Sequence, residues 1–346
     1  MERGASPPGV SLLRPASSRV SSLSDALGHR QGLRRDGRPR PSKRSAAHQA
    51  LGPQGQEPQV ILSVVIITHN EEANIGRTLA SVQPLVAGGK GEIIVVDSGS
   101  TDRTVEIAKS FGAKVFVEEW KGYAAQKNSA IDKAAEDWIL SLDADEELGP
   151  GLAGEVYAAM HGRLDFDSIE GDSLEVIEKV MAAGEAEERG RTASSVGFWI
   201  PRKNFFLGRW IQHGGFWPDP KLRLFRKGTA RFEKRLVHED AKLIEGISGK
   251  LKHALLHHSY PTLSDYIEHM NRYSSLGAEM AVAEGRRGFS LFNIVVRPLA
   301  TFSYNYFFRL GFLDGREGLL LHLYHAVYVS WKYSKAWELP RNEEPT

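Results

Sequence analysis

Four carboxylates follow one short apolar strand: residues 140–147 read Leu-Ser-Leu-Asp-Ala-Asp-Glu-Glu. With Ile139, Leu140 and Leu142 buried, Asp143 and Asp145 would stand at the strand's C-terminal end, the edge where open α/β sheets bind ligands. Residues two apart in a strand point to one side, so both could face one cavity. Carboxylates that close repel unless protons or a cation lie between them, and hard divalent cations such as Mg²⁺ or Mn²⁺ take oxygen ligands. The spacing therefore predicts a metal. An acidic turn opening a helix would give the same letters, because acidic residues are favoured at helix N-termini.

What separates the two readings lies upstream. Val60 to Ile67 is a continuous β-branched run, as expected of a strand buried on both faces of a parallel sheet. It ends in Thr68-His69-Asn70-Glu71-Glu72, after which Ile75, Leu79 and Val82 fall at helical spacing. A second unit follows, with a strand over Glu92 to Val96, a polar loop over Asp97 to Asp102, and a helix stopping at Gly112. A third strand at Lys114 to Val117 and a third helix at Tyr123 to Ala135 lead into the carboxylate strand. This alternation predicts a parallel sheet with right-handed crossovers, whose three polar loops converge on one crevice. Neither the phosphate loop of P-loop enzymes nor Gly-x-Gly-x-x-Gly is present. A nucleotide held in the crevice would have its base and ribose read by Asp97 and its neighbours, and its diphosphate neutralised by a metal on Asp145. Lys127, on the third helix, is a further candidate cation.

Val-Val-Ile-Ile-Thr-His-Asn-Glu-Glu at 64–72, Val-Val-Asp-Ser-Gly-Ser-Thr-Asp at 95–102, Gln126-Lys127-Asn128 and Leu-Asp-Ala-Asp-Glu at 142–146 together resemble a family 2 glycosyltransferase of the GT-A fold. The resemblance spans roughly residues 61–150 with all four motifs in order. It implies a Rossmann-like, mostly parallel sheet flanked by helices, and an inverting transfer from a nucleotide-diphosphate sugar assisted by Mg²⁺ or Mn²⁺. By the same resemblance Asp97 contacts the base, Asp143 the ribose or metal region, and Asp145 ligates the metal, while Thr68, Asn70 and Glu71 line the nucleoside pocket. Trp199 to Asn204, Trp217 to Arg226, Val237-His238-Glu239 and Gly311 to Gly315 are similar to the lipopolysaccharide inner-core glucosyltransferase subgroup. That likeness implies UDP-glucose as donor and a saccharide or glycolipid acceptor. It places the enzyme in the cytoplasm or peripherally on the cytoplasmic face of the inner membrane.

Inversion needs a base for the attacking acceptor hydroxyl and positive charge for the departing diphosphate. The family pattern puts the base at Glu239, with Asp240 or Asp219 as alternatives; His238 would orient the base or ligate the metal. Arg223 is the preferred phosphate contact among the arginines near it. Phe205 to Trp217 is aromatic enough to stack on sugars, although such density also suits a core, and Gly208, Gly214 and Gly215 would let that loop close. Val295, Leu299, Phe302 and Tyr306 predict C-terminal helices with a wide apolar face. Such a face suits peripheral membrane contact, a helical subdomain packed on the sheet, or a dimer interface.

Residues 1–58 are rich in Ser, Pro, Gly and Arg and predict a disordered basic tail. The expected divisions after it are a nucleotide-sugar half over 59–160, an acidic, mobile insertion over 161–195, an acceptor and catalytic half over 196–260, and a helical region over 261–346. With 41% hydrophobic and 25% charged residues and a net charge of +1, the 346-residue chain is ordinary for a globular protein and gives no reason to expect nucleic acid. The absence of cysteine excludes disulfides and thiolate chemistry. No apolar run reaches the roughly 18 to 20 residues of a spanning helix, nor is there a secretion signal. Transfer to a polyprenyl phosphate and a non-catalytic nucleotide-sugar sensor are the alternatives.

Overall fold

A computed structural model of the chain describes residues 62–162, 195–233, 240–286 and 288–343. The expected tail, most of the expected insertion, and both His238 and Glu239 lie outside the described residues.

The expected alternation is realised as β1 (Leu62–Thr68), α1 (Ile75–Val86), β2 (Gly91–Asp97), α2 (Thr104–Ser110), β3 (Lys114–Val117), α3 (Tyr123–Lys133) and β4 (Trp138–Asp143). The third helix stops short of Ala135 because Ala134 turns to extended backbone, with φ −64° and ψ 135°. Every residue of β1 is buried. Leu62, Val64 and Ile66 join the apolar layer under α1, while Val65 and Ile67 join the layer under α3, as the two-residue period of a doubly covered strand requires. β1 pairs in parallel with β2 on one side and β4 on the other, in a register that sets Thr68 beside Asp97 and Ile67 beside Asp143. The three polar loops therefore open at one edge.

After β5 (Glu146–Leu148) and α4 (Leu152–Met160), the chain returns as β6 (Ser195–Ile200), β7 (Arg202–Phe206), β8 (Arg209–Trp210) and β9 (Lys221–Arg226). β10 (Ala230–Phe232), β11 (Ala241–Leu243), β12 (Ile247–Lys250) and β13 (Leu255–Tyr260) follow. The large sheet has seven strands in the order β12-β6-β9-β4-β1-β2-β3, with β9 the one strand antiparallel to its neighbours. This is the mostly parallel α/β sheet that the resemblance implies. A second sheet, β5-β13-β7-β8, pairs the segment just beyond Asp145 with β13, placing His257 opposite Glu146.

The C-terminal region is helical, as expected. α5 (Leu263–Ala283) starts at a reciprocal cap between Thr262 and Asp265, and a helical stretch over 292–308 encloses α6 (Arg297–Ser303). α7 (Gly315–Glu343) then brings Leu321 against Phe206, Ile211 and Tyr266, joining this region to the second sheet. Among the described residues no helix is long and apolar enough to cross a membrane. The aromatic loop is seated against this region by its glycines. A Cβ on Gly214, at φ +67°, would lie 2.0 Å from the ring of His322, and one on Gly215, at φ +91°, 2.1 Å from the Arg309 guanidinium. Gly214→Ala is expected to cost about 2 kcal/mol in a denaturant titration, combining overpacking with a left-handed backbone.

Candidate active site

The four carboxylates part company. Asp143, at the end of β4, and Asp145, in the turn after it, line a cleft of about 850 Å³ and keep 27% and 23% of their side chains exposed. Glu146 is fully buried beneath them, and Glu147 turns away to Arg77 and His258 at 3.4 and 3.0 Å. Glu146 and Glu147 lie in β5 rather than opening a helix. The cleft volume falls within the ~300–1,000 Å³ usual for small-molecule sites.

Cations hold Asp143 and Glu146. Asp143 meets the Lys127 ammonium at 2.7 Å and Arg223 at 2.5 Å, and Arg223 also meets Glu146 at 2.6 Å. Arg202 bridges Glu146 at 3.0 Å and Asp219 at 2.7 Å. Burial alone would raise the Asp143 pKa, but Arg223 and Lys127 outweigh it and hold the carboxyl well below its ordinary range. Arg223, expected to touch phosphate, is 4% exposed and committed to two carboxylates, although it borders the cleft.

Asp145 has a different partner. Its Oδ2 lies 3.2 Å from Nε2 of His257 on β13. Burial would raise its pKa, and His257 more than reverses that. The imidazole is oriented from behind. Asn204 donates its amide hydrogens to the Phe216 carbonyl at 3.2 Å and to Asp219 at 3.0 Å, leaving its Oδ1 to accept from Nδ1 of His257 at 2.7 Å. With Nδ1 committed to Asn204, Nε2 is the nitrogen left to Asp145, as its charged partner when protonated or as its co-ligand when a cation lies between them. Among the described residues no cluster of three or more His, Cys, Asp or Glu could hold a metal unaided. Two protein ligands completed by substrate phosphate suit Mg²⁺ or Mn²⁺, which keep few protein ligands at nucleotide sites. On these grounds the residues fit the expected ion.

The remaining candidates divide between cleft and scaffold. Thr68, Glu71 and Asp240 line the cleft, and the buried hydroxyls of Thr68 and of its neighbour Ser98 have no hydrogen-bond partner among the described residues. Asp240 sits 3.1 Å from Lys221 with 41% of its side chain exposed. Asp97 and Asn70 do not reach the cleft lining. Asp97, 1% exposed, spends its carboxylate on the Gly99 and Ser100 amides, both at 2.9 Å, and on the Ser100 hydroxyl at 2.5 Å. Asn70 Oδ1 accepts from the Thr101 amide at 2.8 Å. Both residues thus shape the loops that carry Thr68 and Ser98. Sequence reasoning missed His257, whose only local signal is a His-His pair in the middle of a short strand. It noted Asn204 solely as part of a motif.

Burial pushes Glu71 up to about 7, with Asp145, Asp102 and Asp143 adding repulsion against one opposing hydrogen bond from Asn74. A carboxyl whose folded pKa is raised stabilises the fold fully below its ordinary value, and that contribution is lost as pH rises through the folded value. Glu71→Gln is therefore expected to raise Tm near about pH 8 and leave it unchanged near about pH 4, read by thermal denaturation without divalent cation.

Comparison with known proteins adds sequence matches of the same kind. The family model for Glycosyl transferase family 2 matches residues 63–228. An uncharacterized glycosyltransferase of Rickettsia typhi is 30% identical over 80% of this chain and 87% of its own length. The lipopolysaccharide core biosynthesis glycosyltransferase LpsC of Rhizobium meliloti is 27% identical over 81% of this chain and 93% of its own. Among solved structures, the mannosyltransferase PcManGT of Pyrobaculum calidifontis, in complex with GDP-Man and Mn²⁺, covers 82% of this chain and 88% of its own at 13% identity and a TM-score of 0.43.

Proposed function

The chain belongs to glycosyl transferase family 2, and from that premise we propose that it moves glucose from UDP-glucose, with inversion, onto a lipid-linked saccharide of the lipopolysaccharide-core type. It would act at the cytoplasmic face of a membrane. The observation that carries the site is the pairing of Asp145 Oδ2 with His257 Nε2 across 3.2 Å at the cleft. The acceptor class rests on the name and 93% coverage of the Rhizobium meliloti relative.

In this reading Thr68 and Ser98 offer their unpartnered hydroxyls to the nucleoside, in a pocket shaped by Asp97 and Asn70. Asp145 and His257 would hold Mg²⁺ or Mn²⁺, which would supply positive charge for the departing diphosphate. Lys127 and Arg223 fix Asp143 at the cleft wall, Arg223 acting as a positioning residue rather than a phosphate contact. The acceptor oxygen bonds to the anomeric carbon, the bond from that carbon to the diphosphate oxygen breaks, and the hydroxyl proton passes to a carboxylate. Glu239 takes that proton, with His238 orienting it; the adjacent Asp240 borders the cleft beside Lys221.

The test compares Glu239→Gln and Asp240→Asn for turnover and for nucleotide-sugar affinity. Glu239→Gln is expected to lower kcat on the order of a thousandfold with affinity intact, and Asp240→Asn far less. Full turnover in Glu239→Gln would remove it as base.

A further inference from the structure

The C-terminal region presents an apolar surface that sugar transfer leaves unused. From Gly285 to Leu313 the sequence carries four arginines, at 286, 287, 297 and 309, and no aspartate or glutamate. On the same stretch Leu291, Phe292, Leu299, Phe307 and Phe308 are 64, 63, 63, 55 and 79% exposed. Leu319 and Leu323 extend the surface along α7 at 41 and 45%. Monomers seldom leave so many large apolar side chains together in water. The backbone beneath them is helical from Phe292 to Phe308, so its polar groups are satisfied internally, as entry into an apolar medium demands. The stretch is anchored on α7, where Arg297 donates to the Tyr333 hydroxyl at 2.5 Å and Ser330 to the Ile294 carbonyl at 2.8 Å.

We propose that the surface formed by Arg286 and by Phe289 to Leu323 docks on an anionic lipid bilayer, its phenylalanines and leucines entering the interface and its arginines meeting headgroup phosphates. The inference deepens the reading above and rests on it, because a lipid-linked acceptor has to be met at a membrane. Charge selects the occupant. A second copy packed face to face would set arginine against arginine, since the acids at the margins are already engaged, Glu284 with Arg286 at 3.4 Å, Glu317 with Arg209 at 3.8 Å and Asp314 buried, whereas anionic lipid complements a run of positive charge.

The surface is also tied to the cleft. Asp314, 1% exposed, accepts from the amides of Gln212 and His213 at 3.2 and 2.8 Å and lies 3.0 Å from the His213 ring, and the Gly214 amide donates to the Arg309 carbonyl at 2.9 Å. The loop held this way contributes Phe216 to the cleft lining, and α7 contributes His325 and Tyr328. Docking would thus hold the acceptor half of the cleft at a fixed attitude to the bilayer.

The test is co-sedimentation of the full chain with phosphatidylcholine vesicles, plain or containing about a third phosphatidylglycerol. The wild type is expected to prefer the anionic vesicles. The Phe292→Ser/Phe308→Ser variant should lose at least about tenfold in partitioning, and Arg286→Ser about fivefold. Both variants should keep the wild-type Tm and nucleotide-sugar affinity. Three results would overturn the proposal: no sedimentation of wild type with either vesicle, wild-type sedimentation of the phenylalanine variant, or a lipid-free dimer that the same two substitutions dissociate. Nucleotide-sugar binding measured on the same samples keeps the claims apart. Failure to dock with nucleotide binding intact refutes only the docking surface, whereas docking without nucleotide binding refutes the transferase reading.

Discussion

Asp145→Asn is expected to lower kcat/KM for the nucleotide sugar on the order of a hundred- to a thousandfold, the scale seen when one preorganised electrostatic partner of a transition state is lost. Asparagine keeps the size and one oxygen of the side chain but not its charge. The His257 ring, fixed through Asn204, would then face a neutral amide that competes poorly for a divalent cation. The fold should survive, because Asp145 keeps 23% exposure and its removal relieves repulsion on Asp143 and Glu71. His257→Gln should cause a comparable loss. Steady-state kinetics against metal concentration read the effect: the variant should need far more Mn²⁺, and a loss below about threefold would take Asp145 out of the metal site.

Arg223→Met is expected to act on stability rather than binding. Its guanidinium lies between Asp143 and the fully buried Glu146, so its loss leaves a charge uncompensated inside the protein. Breaking such a pair costs about 3–5 kcal/mol, and at about 2–4 °C per kcal/mol for a chain of this size Tm should fall by roughly 10 °C. Arg202, at 3.0 Å from Glu146, moderates the loss without replacing the contact to Asp143. Adding Glu146→Leu should recover much of it, since an apolar substitute for a buried ion pair is often neutral. A single variant within about 1 kcal/mol of wild type in denaturant titration would show that water reaches the network.

The two effects correspond to what was legible and what was not. The strands β1, β2 and β4 could be read because doubly buried parallel strands demand uninterrupted β-branched runs, and the loops at the edge they share carry Thr68, Glu71, Asp143 and Asp145. Lys127 was found because it lies on the helix leading into the carboxylate strand. Asp97 and Asn70 also sit at that edge, but the turn chemistry of Gly99, Ser100 and Thr101 captures their side chains, and strand-end position alone cannot distinguish a captured carboxylate from a free one. Arg223 reaches Asp143 from 80 residues away because β9 runs antiparallel beside β4, a pairing with no local signature. His257 is brought in by the pairing of β13 with β5, again non-locally, and its role depends on an amide orientation that only the hydrogen-bond network fixes. The parallel strands and their shared edge were therefore readable, and the partners supplied by β9 and β13 were not.

The measurement closest to the central claim is calorimetric titration of the wild type with a panel of nucleotide sugars, each with and without Mn²⁺. The account predicts that one of them, UDP-glucose, binds with Mn²⁺ present and at least about tenfold more weakly without it. Equal affinity with and without the ion, or no binding of any nucleotide sugar under either condition, would contradict a cleft in which Asp145 and His257 hold a diphosphate through a metal.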